Sequence, residues 1–182
     1  METLRRTLED APVITRGGYE YFVHPVTDGI PLVEADLLRE IVDGILELTT
    51  IDTVDKIVAP ESMGIHHATA LTLATGVPFS VIRKRPYYFE DEVTVEQRTA
   101  YSEQELYINN ISAGDRVLVL DDVCSTGGTL TAICSGLLDI GAEIVDAIVV
   151  IRRRTDSRCN VPVEVKSLVD VEITEGQVVV HS

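Results

Sequence analysis

A chain of 182 residues with 45% hydrophobic and 25% charged residues is long enough for one compact domain and too apolar to be disordered. No run of about 18 apolar residues is present to span a bilayer, and the N-terminus METLRRTLED lacks the apolar core of a signal peptide, so the expected location is the cytoplasm. Thirty acidic residues against 15 basic ones give a formal net charge of −15, which repels nucleic-acid phosphates and argues against DNA or RNA binding.

The expected elements follow in chain order. Residues 19–31 are unusually aromatic, and with the C-terminal strand they read as a small hood or as a satellite core. Leu37, Leu38, Ile41, Val42, Ile45 and Leu46 recur at helical spacing and predict a helix over 33–48. A β-like run over 56–60 is followed by Glu61-Ser62-Met63-Gly64 and a helix over 65–74, closed by Gly76 and Pro78. Residues 79–83 read as the next strand. Residues 85–110 are polar and dotted with aromatics, with weak alternation over 99–108 that suggests a mobile flap or hairpin. The apolar run 117–120 reads as a strand buried on both faces, and a Gly/Ser/Thr turn then opens a helix over 128–140. Gly141 stands where a left-handed helix cap belongs. Strands over 144–151 and 167–171 complete the pattern. Alternating strands and helices predict an α/β domain around a central, mainly parallel sheet.

Cys124, Cys134 and Cys159 are odd in number and widely spaced, so neither a disulfide framework nor a structural zinc site is expected; they read as buried or half-buried thiols in a reducing compartment. His66 and His67 are not read as metal ligands, because adjacent side chains diverge on a helix and no third ligand is evident.

The segment Val117-Leu-Val-Leu-Asp121-Asp122-Val-Cys-Ser125-Thr126-Gly127-Gly128-Thr129 carries the chemistry. Glycines let the backbone approach an anion, and the turn amides and helix N-terminus supply donors and positive dipole. Ser125, Thr126 and Thr129 add hydroxyls. Neither GxxxxGK[ST] nor GxGxxG is present, so this is not a nucleotide-triphosphatase or dinucleotide loop. Two acids beside a phosphate repel it unless they serve sugar hydroxyls or a developing positive charge. A phosphorylated ribose offers both. The alternative is a glycine-rich turn whose acids merely cap the helix.

This segment resembles the phosphoribosyl-pyrophosphate (PRPP) motif of the type I phosphoribosyltransferases. Glu61-Ser62-Met63-Gly64 resembles their pyrophosphate loop, Ile82-Arg83-Lys84-Arg85 their basic segment, and residues 98–108 their active-site flap. The whole is most similar to archaeal hypoxanthine/guanine-type enzymes of the adenine/xanthine branch.

The resemblance implies a type I phosphoribosyltransferase fold over 1–182, with a hood from about 1–32 and 172–182 and a flap over about 85–110. Asp121 and Asp122 would hold the ribose hydroxyls and face the anomeric carbon, and Tyr101 matches the flap tyrosine. Ser125, Thr126, Gly127, Gly128 and Thr129 would bind the 5′-phosphate. Ser62, Met63 and Gly64 would bind pyrophosphate, often through a non-proline cis peptide, with Arg83 and Lys84 assisting. Mg²⁺ would arrive mainly on PRPP rather than in a protein cage, and a homodimer is the family expectation.

Met63 stands where adenine enzymes commonly have Arg, Tyr87 where a further Lys is frequent, and Ala100 where the flap Glu stands. Arg152-Arg153-Arg154 reads either as a solvated or oligomer-contact run or, at the end of a parallel strand, as a base contact centred on Arg153 or Arg152. Purine salvage from PRPP and a 6-oxopurine is the leading expectation. The alternatives are an adenine enzyme and a non-catalytic PRPP or purine sensor, although sensors of that kind carry an added DNA-binding domain or basic RNA-binding face that is not evident here. An orotate enzyme is disfavoured because its lysine-rich flap is missing.

Acid-rich, lysine-poor composition generates one prediction directly. The Debye length falls from about 30 Å at 0.01 M salt to about 3 Å at 1 M, so self-repulsion of the −15 chain weakens across that range. Such a composition reads as that of a protein working at high salt, so the melting temperature is expected to rise with salt; a flat or falling profile removes that reading.

Overall fold

The computed structural model describes residues 1–98, 103–154 and 160–181. In chain order these form α1 (Glu2–Glu9), β1 (Val13–Arg16), β2 (Tyr19–Phe22), α2 (Pro25–Asp28), α3 (Ala35–Leu48), β3 (Lys56–Pro60), α4 (Gly64–Thr75) and β4 (Phe79–Ile82). There follow β5 (Val93–Arg98), β6 (Glu103–Ile108), β7 (Arg116–Cys124), α5 (Gly128–Ile140), β8 (Glu143–Arg153), β9 (Val165–Thr174) and β10 (Gln177–His181). The main sheet runs β10-β9-β8-β7-β3-β4, parallel except for the antiparallel β9–β10 edge.

The period of two along each central strand divides the core into two layers. Ile57, Ala59, Leu118, Leu120, Ile148 and Val150 pack with Leu4 and Leu8 of α1, Leu37, Ile41 and Ile45 of α3, and Ala68 and Leu71 of α4. Their neighbours Val58, Val117, Val119, Ala147 and Val149 pack with Leu130, Ile133, Cys134 and Leu137 of α5. Strands buried on both faces read as continuous apolar runs, which is what the sequence shows at 117–120. Among the described residues no helix is long and apolar enough to cross a membrane.

The helices and sheet match the expected fold, with three differences of extent. First, β7 runs on past Leu120 because β8 is longer too and keeps pairing, Asp121 with Val149 and Cys124 with Arg152, so the two acids lie within a strand instead of at its end. Second, α1 is not part of a hood. Leu4 and Leu8 are fully buried in the main core, and Glu40 of α3 accepts from Thr3 N and Leu4 N at 3.1 and 2.8 Å. Third, residues 177–181 pair with 170–174 as the edge of the main sheet, so the segment standing apart is the β1–β2 hairpin.

The polar stretch 85–110 does contain a hairpin, β5–β6, with Val95 opposite Leu106 and Gln97 opposite Gln104. It is docked against α5, where Val93 and Val95 join the second core layer. Gly136 permits this approach: a Cβ there would overlap Val95 Cγ1 and meet Ile108 Cδ1 at 3.1 Å.

Gly136→Ala is therefore expected to lift the hairpin off α5, at an overpacking cost of about 1–3 kcal/mol. Hydrogen exchange should rise in 93–98 and 103–108 while the main sheet stays protected, and Val95→Ala should restore the protection. Unchanged exchange in Gly136→Ala would show that the hairpin is not held there.

Candidate active site

The chain leaves β3 for β4 on one side and later returns to lay β7 on the other side of β3. Two loops diverge at the carboxyl ends of these adjacent parallel strands, and open α/β sheets place ligands in the crevice such a reversal creates. One loop is Glu61–Gly64 and the other Ser125–Thr129.

The Glu61–Ser62 peptide is cis, as the resemblance anticipated. Gly64 then lies so near β7 that a Cβ would meet Pro60 Cδ at 3.2 Å, and Leu120 O and Asp121 Oδ1 at 3.3 Å. The basic segment divides its tasks. Arg83 pairs with Glu61 at 3.1 Å, whereas the Lys84 side chain lines the crevice and only its backbone N–H donates to Glu61, at 2.7 Å.

In the second loop Gly127 adopts φ 77, a conformation that L side chains rarely take, and α5 opens at Gly128. The boundaries of α5 and the left-handed cap at Gly141 agree with the sequence reading. Ser125, Thr126, Gly127, Gly128 and Thr129 surround a cavity of about 60 Å³ at the amino end of this helix. Unpaired amides and positive dipole make that end receptive to an anion.

A larger cavity of about 340 Å³ adjoins the loop, lined by Ser62, Met63, Lys84, Asp121, Asp122, Ser125 and Thr129 among others. Asp121 is buried, with its Oδ1 accepting from the Asp122 N–H at 2.9 Å. Burial first, and the neighbouring Asp122 charge second, hold the Asp121 carboxyl well above the usual carboxylate range. Burial pushes Asp122 up as well. Among the described residues no three His, Cys, Asp or Glu side chains are grouped to hold a metal ion. The pair offers the oxygen donors that Mg²⁺ prefers, though too few for a cage, which suits an ion carrying its other ligands with it.

Beyond Ser125 lies a third cavity of about 510 Å³, shared between the β1–β2 hairpin and the end of β8. Tyr19, Tyr21, Phe22, Asp28, Val123 and Arg153 line it. Arg153 donates from Nη1 to Glu20 O at 2.7 Å, and its guanidinium carbon lies 4.3 Å from the Tyr19 ring centroid. Arg152 is placed elsewhere. It grips Asp170 through Nε and Nη2 at 2.9 and 3.1 Å, and Arg154 reaches the same carboxylate at 3.3 Å. Strand alternation separates Arg153 from its two neighbours, so one arginine of the three faces the cavity.

Tyr101 lies outside the described residues, as does Cys159. The crevice also includes Thr27, Gln97 and Gln104, which the sequence reading did not single out. The two glutamines carried no local signal, since they only continue the alternation of a polar segment.

His66 and His67 do not diverge: their ring centroids are 3.8 Å apart and tilted by 44°. They occupy the first turn of α4, where no preceding turn fills the space toward which helical side chains lean. Burial lowers the His67 pKa to about 3 and that of His66 in the same direction, which favours the neutral ring in both.

Fold and crevice together define a doubly wound α/β protein of the type I phosphoribosyltransferase fold. The phosphoribosyl transferase domain model matches residues 34–179. An HGPRTase-like protein 2 from Haloterrigena turkmenica is 54% identical over all 182 residues, which is the full length of both chains. An HGPRTase-like protein 1 from Halalkalicoccus jeotgali is 53% identical over the same span. The adenine phosphoribosyltransferase structure from Rhodothermus marinus superposes with a TM-score of 0.73 at 25% identity, over 93% of this chain and 99% of that one. The Saccharomyces cerevisiae enzyme, solved with an iminoaltritol bisphosphate and adenine, gives 0.74 at 22%, over 92% and 99%. This chain belongs to the phosphoribosyltransferase family, and it is a transferase by that membership.

The acid pair makes the site costly to the fold. A carboxyl whose folded pKa is raised above its unfolded value adds stability below the unfolded value, near 3.8, and loses it as pH rises through the folded pKa. Asp121→Asn removes that penalty. Each tenfold change in ionisation is about 1.4 kcal/mol, or roughly 3–6 °C for a chain of this size. The variant is expected to melt a few degrees above the parent at pH 7, with the gap closing toward pH 4, while turnover falls. An equal or lower melting temperature at pH 7 would show that the buried pair carries no such cost.

Proposed function

We propose that the protein is a cytoplasmic purine phosphoribosyltransferase of nucleotide salvage, working as a homodimer. It transfers the 5-phosphoribosyl group of PRPP to hypoxanthine or guanine and releases pyrophosphate. The observation that carries this reading is the sequence of three adjoining compartments: an anion cradle, a crevice with paired carboxylates, and an aromatic pocket holding one arginine. They match in order the 5′-phosphate, the ribose and the base of one ligand.

In this reading Ser125–Thr129 hold the 5′-phosphate by backbone amides and hydroxyls. Ser62, Met63, Gly64 and Lys84 receive the pyrophosphate, with Arg83 supporting from behind through Glu61. As pyrophosphate leaves, positive charge develops at the anomeric carbon, and Asp121 and Asp122 stabilise it from a position fixed before the reaction begins. Burial raises the pKa of both, and a cationic ribose beside them favours the ionised form that burial alone disfavours. Mg²⁺, when bound with PRPP, neutralises charge on the leaving group. The β5–β6 hairpin closes one side of the crevice against water.

Arg153 is the residue expected to choose the base. A guanidinium only donates hydrogen bonds and keeps its proton near neutral pH. It matches the O6 and N7 acceptors of a 6-oxopurine and opposes adenine's exocyclic amine. A site built for one hydrogen-bonding pattern rejects the other strongly, since the mismatched group stays buried and unpaired. The adenine phosphoribosyltransferase structures share the fold and do not decide the base.

The test is a panel of adenine, hypoxanthine, guanine and xanthine with PRPP and Mg²⁺, following pyrophosphate and nucleotide. Hypoxanthine or guanine should win in direct competition. Arg153→Leu should lose most of that preference while PRPP still binds, and Arg152→Leu should alter it far less. A preference for adenine would overturn the base assignment; absence of turnover with every base would overturn the enzyme in favour of a sensor. Gly128→Val should abolish PRPP binding in a folded protein, and unchanged affinity there would remove the phosphate cradle.

A further inference from the structure

The inner face of the flap hairpin changes character along its length. Val93 pairs with Ile108 and Val95 with Leu106, which makes an apolar root. The next pair on the same face is Gln97 with Gln104, and both amides line the crevice that contains Asp121, Asp122 and Lys84. Residues two apart on a strand share a face, so the docking of Val95 onto α5 beside Gly136 delivers Gln97 to the first turn of that helix. There its Nε2 donates to Thr129 Oγ1 at 2.7 Å, in a half-buried setting.

A threonine hydroxyl has one proton to donate and two lone pairs to accept with. Once Gln97 occupies a lone pair of Oγ1, the Thr129 O–H is turned away from the flap. Thr129 lines both the small cradle and the crevice, so the direction left to its proton is the phosphate side. The amide also has no charge, which matters on a wall facing two carboxylates, Asp121 buried and Asp122 half-buried, and an anionic ligand. A carboxylate at this position would take the hydroxyl proton for itself and repel the phosphate.

We propose that Gln97 is a positioning residue of the flap: it orients the Thr129 hydroxyl as a donor to the 5′-phosphate, and so couples closure of the hairpin to grip on that end of PRPP. The inference rests on the phosphate cradle proposed above and goes beyond it by assigning a flap residue to the phosphate instead of to the reacting carbon.

The test is a double-mutant cycle on the full-length protein, read by the dissociation constant of ribose 5-phosphate and by KM for PRPP. Gln97→Leu should weaken ribose 5-phosphate and raise KM about five- to tenfold, the worth of one hydrogen bond to a charged group's donor. It should leave kcat at saturation and the melting temperature near the parent's, and Gln97→Glu should be worse than Gln97→Leu. In a Thr129→Val background the further effect of Gln97→Leu should vanish, whereas in Thr129→Ser it should persist. Equal losses in the parent and Thr129→Val backgrounds would overturn the positioning role, as would an unchanged KM in Gln97→Leu. If Thr129→Val itself binds ribose 5-phosphate like the parent, the cradle assignment fails as well, and that result is separate from the first two.

Discussion

The approach of the α4 N-terminus to β7 is the constraint on which the crevice depends. Gly64 has Leu120 O and Asp121 Oδ1 within 3.3 Å of where a Cβ would stand. A side chain there would force its neighbours apart by a few tenths of an ångström and shift the Glu61–Gly64 loop relative to the acid pair. Because β3 and β7 are hydrogen-bonded neighbours, Ile57 beside Leu118 and Val58 beside Val119, their register is fixed well below the loops. The separation of the two anion-receiving loops is thereby set by the sheet, which both core layers hold from either side. Rigid strands supply the distance, and glycines let the loops use it.

Electrostatics then constrains what such a crevice can be for. The chain is strongly acidic, yet its crevice combines two helix N-termini and Lys84 with one buried and one half-buried carboxylate. Cationic and dipolar groups alone would make a plain anion site. Carboxylates alone, buried without partners, would be neutralised by protonation. Held together, they favour a ligand that is anionic at both ends and becomes positive in the middle. Several arginines outside the crevice have their charge answered locally, Arg116 by Asp55 and Arg152 and Arg154 by Asp170. Lys84, with its side chain in the crevice, and Arg153, held by a carbonyl and an aromatic face, stand apart from that pattern.

Local chemistry made some of this legible in the sequence and left other parts dark. Helix α5 was readable to its ends because Gly127 and Gly141 punctuate it with left-handed conformations that other residues avoid. The cradle and acid pair were readable because they are contiguous in the chain. The length of β7 was not, since it depends on pairing with β8, a partner beyond the local pattern. The place of α1 was missed for a similar reason: Leu4 and Leu8 announce an apolar face but not the surface it meets, which is α3 and the main sheet. Among the arginines the ambiguity was one residue wide, and strand parity turns Arg153 to the cavity and Arg152 and Arg154 to Asp170. The divergence expected of His66 and His67 assumed a helix interior, whereas the pair sits at a helix start.

What remained hardest to read is the wall contributed by the flap. Its inner face is assembled by three separate facts: antiparallel register within the hairpin, the absence of a side chain at Gly136, and the turn that brings Thr129 into α5. None of these is visible from the segment 93–108 alone, where Val93, Val95, Gln97 and Gln104 look like an unremarkable alternation. Once α5 is in place, the same residues become a graded surface, apolar where it must adhere to the core and neutral-polar where it meets the ligand. A closing element needs that gradation. A wholly apolar face would bury itself permanently over the acids, and an acidic one would be repelled by the acid pair and by the −15 chain it has to cover. Uncharged amides at the far end of an apolar root let the hairpin adhere at one end and exchange hydrogen bonds at the other. The flap is thus bound into the site by the same glycine-permitted close approach that shapes the loops opposite it.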